Sequence, residues 1–533
     1  MRQLSLHAVP YYAATFVAGF SLMVIEVTSS RIVAPMIGSS IFTWTSVIGV
    51  TLLGLSIGSF LGGWLADRYT KSFGHKVAAL AFICAAFFVY TILPLSPYVS
   101  GFFRQSFSLM ELSVMVSAIL FLAPAIAMGA LAPIIFKSFV DSVSDIGKKY
   151  GFLSGIWSLG SIVGVFATGF YFIPTIGSAA TVRLIVFVLA TIFYIFYLQD
   201  IKRQSRVSGG DVAILAIVTV CLAVLVISSS AQRAPESKKI LFHKETAYYD
   251  LRVVDYKLFP TYGDNRILFL DIDTHSVQTA RPSQRFYTDA APAFAAFSDS
   301  IKNIYVIGAG AYTLPINLKK QYPDAKITVG EIDPEIAKVG TEYFNVGAYD
   351  IETEIGDARV RFARTGSMPA ETFDLIYGDA YNSFISVPWY LLTQEFNENI
   401  KNYLSPNGVY AVNFAGTLEG PNAVMFESIY ATMRSTFPDT YILAFGRDYT
   451  KTQNITILGT KSGVTLSHGT LVQKFNTLDK NRFLSSTLVD ASTISVPTRR
   501  VLTDDFAPIE YMMTGLMREY FPTYIELYKK VVS

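Results

Sequence analysis

Cysteine, histidine and, over its first 230 residues, charge are what this 533-residue chain has little of. Its two cysteines, Cys84 and Cys221, sit inside apolar runs with no disulfide or metal-ligand spacing. They read as small core residues rather than a redox or zinc framework. Of the five histidines, His243, His275 and His468 are scattered without ligand spacing, so they give no metal site and read as surface residues. A Walker loop, a Ser-His-Asp arrangement and a zinc pattern are all missing, which removes P-loop phosphoryl transfer and triad hydrolysis. Lys and Arg number 43 against 41 Asp and Glu, and no basic stripe stands out, so no nucleic-acid partner is expected. The first apolar run lacks a small-residue cleavage site and others follow it, so no cleavable signal peptide is read.

Charge is unevenly spread: 20 charged residues lie in Met1–Ser230 and 64 in the remaining 303. The first part is too apolar for a soluble domain, and the second has ordinary globular composition. A membrane-spanning helix needs about 20 predominantly apolar residues. Seven such runs are read at 10–33, 43–66, 77–98, 110–136, 151–173, 179–198 and 211–230, with breaks at points such as Asp67-Arg68, Lys148-Lys149 and Lys202-Arg203. The expected partner of residues 1–230 is therefore a lipid bilayer, and the expected location a multi-pass inner (cell) membrane. Loops after spans two, four and six carry Arg68, Lys71, Lys76, Lys137, Lys148, Lys149, Lys202, Arg203 and Arg206, against Arg31, Arg104 and Arg183 after spans one, three and five. This bias places the even loops and the N-terminus in the cytoplasm. Seven spans then leave the C-terminal part outside; one span fewer returns it to the cytoplasm.

Within the spans, Gly54-x3-Gly58-x3-Gly62, Gly151-x3-Gly155 and Gly160-x3-Gly164 have the spacing of close helix packing, or of a sliding transport surface. Glu26 inside the first run is either half of a structural pair or a substrate-handling carboxylate. Gly62-Gly-Trp-Leu-Ala-Asp67-Arg68 resembles the loop motif of major-facilitator transporters, in which the Asp-Arg pair staples neighbouring helices.

Residues 231–280 read as a linker, Ala231–Lys244, and a small antiparallel sheet built from Tyr249–Tyr256, Arg266–Asp271 and His275–Thr279, with a turn at Tyr262–Asn265. A helical stretch at about Gln284–Phe297 leads into residues 281–533. Strands near 303–307, 326–331, 373–378, 407–413, 440–445 and 453–459 alternate with helical segments. The expectation is an α/β, mostly parallel, Rossmann-like sheet covered on both faces, with an antiparallel addition at its end. Ile304–Ala311 ends an apolar run in Gly308-Ala-Gly310, and Ile327–Asp333 ends the next in Glu331-Ile-Asp333. Glycines let backbone approach a nucleoside, and a carboxylate at the second strand end accepts from both ribose hydroxyls.

The region from about Glu245 to Tyr511 resembles the spermidine synthase family, the aminopropyltransferases. The resemblance rests on Val277-Gln278, Phe286-Tyr287-Thr-Asp289, Gly308-Ala-Gly310, Glu331-Ile-Asp333, Gly356-Asp357-Ala358, Gly378-Asp379-Ala-Tyr381-Asn382, Pro388-x2-Leu-Leu-Thr-Gln-Glu395-Phe and Leu404-Ser-Pro-Asn-Gly408-Val. The whole architecture, with Thr503-Asp504-Asp505-Phe-Ala-Pro508-Ile-Glu510, resembles the bacterial fused membrane spermidine synthase-like proteins. That resemblance implies S-adenosylmethionine or its decarboxylated form as substrate, no metal, a small-molecule amine as acceptor, and a homodimer. It assigns the nucleoside to Gln278, Asp289, Gly308, Gly310, Glu331, Asp333, Asp357 and Ala358, with Asp357 near the adenine amino group. Helix capping is the competing role for Asp357, and a surface charge that for Asp333. Asp379 is the expected catalytic base, because an attacking amine must lose a proton, and Tyr381 and Tyr287 would flank it.

Three departures stand out. The family's glycine loop continues into an acid that grips the nitrogen of the transferred arm, where this chain has Ala311 and then Tyr312. The second acid of the family's Asp-x-x-Asp is Asn382 here, and Tyr-His-Glu is Tyr287-Thr288-Asp289. Nucleoside binding is thus better supported than polyamine specificity. The competing readings are a transporter or sensor with a nucleoside-binding domain, and methyl transfer or cofactor breakdown on the same fold.

Overall fold

A computed structural model describes residues 8–102, 109–139, 146–204, 207–231, 239–257, 265–279, 286–298, 300–363, 369–381, 387–437, 439–463, 465–494 and 499–532. They divide into two units, Met1–Lys238 with Glu245–Ala247, and Lys239–Lys244 with Tyr248–Ser533.

The first unit is helical. Among the described residues five helices, not seven, are long and apolar enough to cross a membrane: Val9–Ile37, Ile41–Tyr69, Gly74–Ser96, Met110–Phe139 and Ile146–Arg203. The difference has two sources. The runs expected at 151–173 and 179–198 belong to one 58-residue stretch, interrupted at Gly177, whose backbone (φ 78°, ψ 169°) leaves the helical region. At about 1.5 Å per residue that stretch is far longer than a bilayer core is thick. The run expected at 211–230 lies in the helix Gly209–Ala231, of which the stretch Gly209–Val224 is apolar but short of a full span. Large apolar side chains face outward from this unit, Phe60 at 81% and Phe170 at 79% exposure, a surface suited to lipid rather than water. Cys84 and Cys221 lie on that outer surface, not in a core.

The glycine spacing acts through close packing. A Cβ on Gly54, Gly58 or Gly62 would come within 2.1–2.6 Å of atoms of Ala125, Ile126 or Ala130. Gly160 and Gly164 stand equally close to the backbone of Phe16 and Phe20, whereas Gly151 and Gly155 face open space. Asp67 pairs with Lys137 at 2.9 Å, so the loop motif does join two helices, through Lys137 rather than through Arg68. Gly58→Ala should cost about 1–3 kcal/mol by overpacking. Gly63→Ala, whose Cβ meets nothing within 4 Å, should be silent. Thermal unfolding of the two variants in detergent checks the contrast.

The second unit carries twelve strands among the described residues. β1 (Ile240–Glu245), β2 (Asp250–Tyr256), β3 (Asn265–Leu270) and β4 (Asp273–Thr279) form a four-stranded sheet in that order. Part of the expected linker is thus strand β1, and of the expected turn Tyr262–Asn265 only Asn265 is described, as the first residue of β3. The large sheet contains β5 (Asn303–Ile307), β6 (Lys326–Glu331), β7 (Ile351–Ile355), β8 (Phe373–Gly378), β9 (Leu404–Gly416), β10 (Thr440–Ala444), β11 (Gln453–Thr460) and β12 (Leu488–Val489), ordered β12-β10-β11-β9-β8-β5-β6-β7. β9-β8-β5-β6-β7 are parallel, and β11, β10 and β12 extend them antiparallel. Val306, Val329, Leu375 and Ala411 are fully buried, as expected where helices cover both faces. The helical stretch expected at about Gln284–Phe297 is, among the described residues, a 3-10 helix, Tyr287–Ala296.

After β5 the chain builds outward through β6 and β7, then returns to the other side of β5 with β8. The order therefore reverses between β5 and β8, and a crevice opens beyond their carboxyl ends, the usual ligand position in open α/β sheets.

Candidate active site

Gly308 follows β5 and Asp379 follows β8, one on each side of that reversal. Their backbones interlock: the Asp379 amide donates to the Ile307 carbonyl at 2.9 Å and the Gly308 amide to the Gly330 carbonyl at 2.9 Å. Gly308 is left-handed (φ 92°), and a Cβ there would lie 2.8 Å from the Asp379 carbonyl oxygen. Only glycine brings the two loops this close.

A cavity of about 390 Å³ fills the crevice. Asp379, Tyr381, Tyr287, Gly308, Gly310, Glu331, Asp357 and Ala358 all line it. Gln278 and Asp289 do not. They line a neighbouring cavity of about 610 Å³ with Arg266, Asn317 and Lys320. The Gln278 amide donates to the Phe344 carbonyl at 3.4 Å, and Asp289 accepts from the Phe286 amide at 3.2 Å, capping its own 3-10 helix. Asp333 is buried rather than a surface charge, and its side chain caps the helix Pro334–Tyr343 by accepting from the Glu335 amide at 2.9 Å. Asn382 lies outside the described residues.

The Glu331 carboxylate is buried, and its two oxygens accept from different amides: Ala309 at 3.0 Å and Asp333 at 2.9 Å. Burial raises its pKa, and the amide bonds hold it down. One side chain thus ties the glycine turn to the end of β6 while lining the cavity. Asp357 accepts from the Arg359 amide at 2.7 Å, an N-terminal cap, and borders the cavity as well.

Asp379 is a strongly perturbed carboxyl of the cavity. Burial pushes it up to about 7, against hydrogen bonds that favour the anion from the Asn413 amide at 2.8 Å and the Tyr287 hydroxyl at 2.8 Å. A carboxyl poised near neutrality can take a proton and give it up again. The Tyr287 phenol lies well above 10, chiefly through burial and then the Asp379 charge, so it stays a donor. Tyr381 accepts from the Ala415 amide at 2.5 Å. Tyr287→Phe removes one anion-stabilising bond, so Asp379 should titrate higher still. The rising limb of any Asp379-dependent activity should move up by about one pH unit, which a pH–rate profile reads directly.

Several residues of the site were not among those expected. Asn413 is the one polar residue between Val409 and Phe414 of an otherwise apolar strand, and a buried polar group needs a partner; that was its available signal. His275, read as a surface residue, lines the cavity with Ser276 and Tyr249. The Asp504 of the C-terminal motif accepts from Thr393 at 2.7 Å and pairs with Arg359. Arg359 also donates to the Tyr390 carbonyl at 2.7 Å, fixing a cavity wall. Tyr312 is packed away from the cavity, its hydroxyl 2.8 Å from that of Thr353.

This topology, with a glycine turn after β5, an acid ending β6 and a carboxyl following β8, defines an α/β domain of the Rossmann-like class. No family model matches the chain. It is similar to the probable polyamine aminopropyl transferase of Bifidobacterium longum, 25% identical over 337 residues that cover 60% of this chain and 71% of the other. Similarity to polyamine aminopropyltransferase 2 of Aquifex aeolicus is 20% over 496 residues, 88% of this chain and 91% of that one, and so includes the apolar helices. Among solved structures, the spermidine synthase from Thermotoga maritima is 18% identical, covering 48% of this chain and 86% of its own, with a TM-score of 0.36. The chain is a homologue of the polyamine aminopropyltransferases, a group of transferases, and carries an apolar helical unit before its α/β domain.

Proposed function

We propose that this chain is a membrane-bound transferase. It takes S-adenosylmethionine or its decarboxylated form, moves an aminopropyl-type group to an amine, and releases methylthioadenosine. The observation that carries this reading is Asp379: a buried carboxyl poised near pH 7 at the strand-order reversal, hydrogen-bonded by Tyr287 and Asn413. In this reading the ribose hydroxyls donate to Glu331, and the glycine turn at Gly308–Gly310 makes room for the thioether end of the nucleoside. The acceptor arrives as an ammonium ion, and Asp379 takes its proton. The free amine then attacks the arm carbon next to sulfur. The new C–N bond forms as the C–S bond breaks, and the electron pair stays on sulfur, which leaves as a neutral thioether. Tyr287 and Tyr381 shape the amine's approach.

The test incubates purified, detergent-solubilised protein with either donor, with and without putrescine, and identifies products by mass spectrometry. Methylthioadenosine together with an alkylated amine is expected. S-adenosylhomocysteine would instead mean methyl transfer, and methylthioadenosine without a modified amine would mean cofactor breakdown. Tight binding without turnover would point to a sensor or transporter.

The nine-to-three excess of Lys and Arg in alternate loops supports a cytoplasmic N-terminus, and an odd number of crossings then puts the α/β domain outside. Protease added to intact spheroplasts should degrade that domain. Its survival until the membrane is opened would place it in the cytoplasm.

A further inference from the structure

Along the glycine turn the cavity has two ends. At Gly308 it meets the Asp379 loop. At Gly310 (φ 49°) it meets β4, where a Cβ would lie 2.6 Å from the Ser276 hydroxyl. Ser276 accepts from the Ala311 amide at 2.9 Å, so the oxygen is engaged as an acceptor and its hydrogen remains available to donate. Beyond the turn starts the nine-residue helix Thr313–Gln321, whose N-cap Tyr312 supplies no side-chain cap. Helix amides left this way favour an anion.

Two further atoms point to a ligand at this end. His275 Nε2 and Thr313 Oγ1 are buried and have no hydrogen-bond partner among the described residues, and both side chains line the cavity. Buried polar atoms without partners are costly and rare in native structures, which makes a bound molecule the natural partner. Burial lowers His275 to about 4, so its ring is neutral at physiological pH and can offer an N–H. Residue 311, next to this group, is alanine and brings no carboxylate. Asp273, two residues before His275 on β4, also lines the cavity.

We infer that the Gly310 end of the cavity binds the carboxylate of an intact α-amino acid arm through Ser276, Thr313, His275 and the amides opening the helix. This inference rests on the transferase reading and narrows it: the donor is S-adenosylmethionine itself rather than its decarboxylated form. The group transferred is then a 3-amino-3-carboxypropyl group. The acceptor nitrogen bonds the arm's terminal carbon, the C–S bond breaks with its electrons to sulfur, the amine proton passes to Asp379, and methylthioadenosine leaves. Charge and atoms balance without a further reactant.

Calorimetric titration of the full-length protein in detergent with S-adenosylmethionine, its decarboxylated form and methylthioadenosine separates the possibilities. S-adenosylmethionine should bind on the order of tenfold or more tighter than the decarboxylated donor, the worth of hydrogen bonds to a charged group. Thr313→Val and His275→Phe should each erase most of that preference while leaving methylthioadenosine binding intact, which also shows that the variants fold. Equal or tighter binding of the decarboxylated donor overturns the inference and leaves the transferase reading standing. A preference that survives both substitutions overturns the assignment of these residues. Failure of all three ligands to bind the wild-type protein overturns the transferase reading, and this inference with it.

Discussion

Asp379→Asn should lower transfer by roughly 10²–10⁴-fold, the usual worth of a positioned general base, while leaving affinity for methylthioadenosine nearly unchanged. The substitution keeps the shape of the side chain and removes its capacity to take a proton. In the wild-type protein the active form is the carboxylate, so activity should rise with pH through about 7. The asparagine variant should show no such limb. The same shift has a stability consequence. Asp379 titrates at about 7 when folded against a usual 3.8, so between those values the folded protein holds a proton that the unfolded chain has lost. Stability therefore falls as pH rises through this window. The variant escapes that loss and should be the more stable protein at pH 8, by up to about 4 kcal/mol, with the gap closing near pH 4. Denaturant unfolding at the two pH values measures it. A variant that loses activity and stability together at pH 8 would make Asp379 a structural residue instead.

Glu331→Gln should weaken binding of methylthioadenosine by about ten- to a hundredfold, as expected when a charged acceptor of hydrogen bonds is lost from a buried site. Both carboxylate oxygens already accept from amides, Ala309 on one side and Asp333 on the other. A carboxamide turns one of these contacts into donor against donor, so the glycine turn should loosen as well. Titration calorimetry gives the affinity, and hydrogen exchange at Gly308–Ala311 reads the loosening. Glu331→Gln with unchanged affinity would move the ribose to another part of the cavity.

Much of the α/β domain was legible in the sequence because its central strands are continuous apolar runs that stop at a glycine or an acid. β5, β6 and β8 were read at their observed bounds, Asn303–Ile307, Lys326–Glu331 and Phe373–Gly378. β7 escaped that pattern, since Glu352 and Glu354 alternate with its apolar residues at the sheet edge. β1 was hidden in a polar stretch whose partner strand supplies the order. Eight of the expected site residues could be placed on one cavity because each sits immediately past a strand end or on the elements beside it, a position that sequence can mark. Gln278 and Asp289 could not be separated from them by sequence. Which way a residue on β4 or on the 3-10 helix faces depends on how the small sheet meets the large one. His275 was missed for the same reason. The helical unit shows a different limit: hydropathy marks apolar runs but does not say whether Gly177 ends one helix and starts another, or how long Gly209–Val224 must be to cross.

In the proposed reaction one cavity holds the nucleoside at Glu331 and the reacting amine at Asp379. A structure of the full chain with methylthioadenosine and putrescine bound is the decisive measurement. Both ribose hydroxyls should lie within hydrogen-bond distance of the Glu331 carboxylate, the sulfur beside the Gly308–Gly310 turn, and an amine nitrogen on Asp379. A nucleoside seated elsewhere, or an amine that stays away from Asp379, would contradict it.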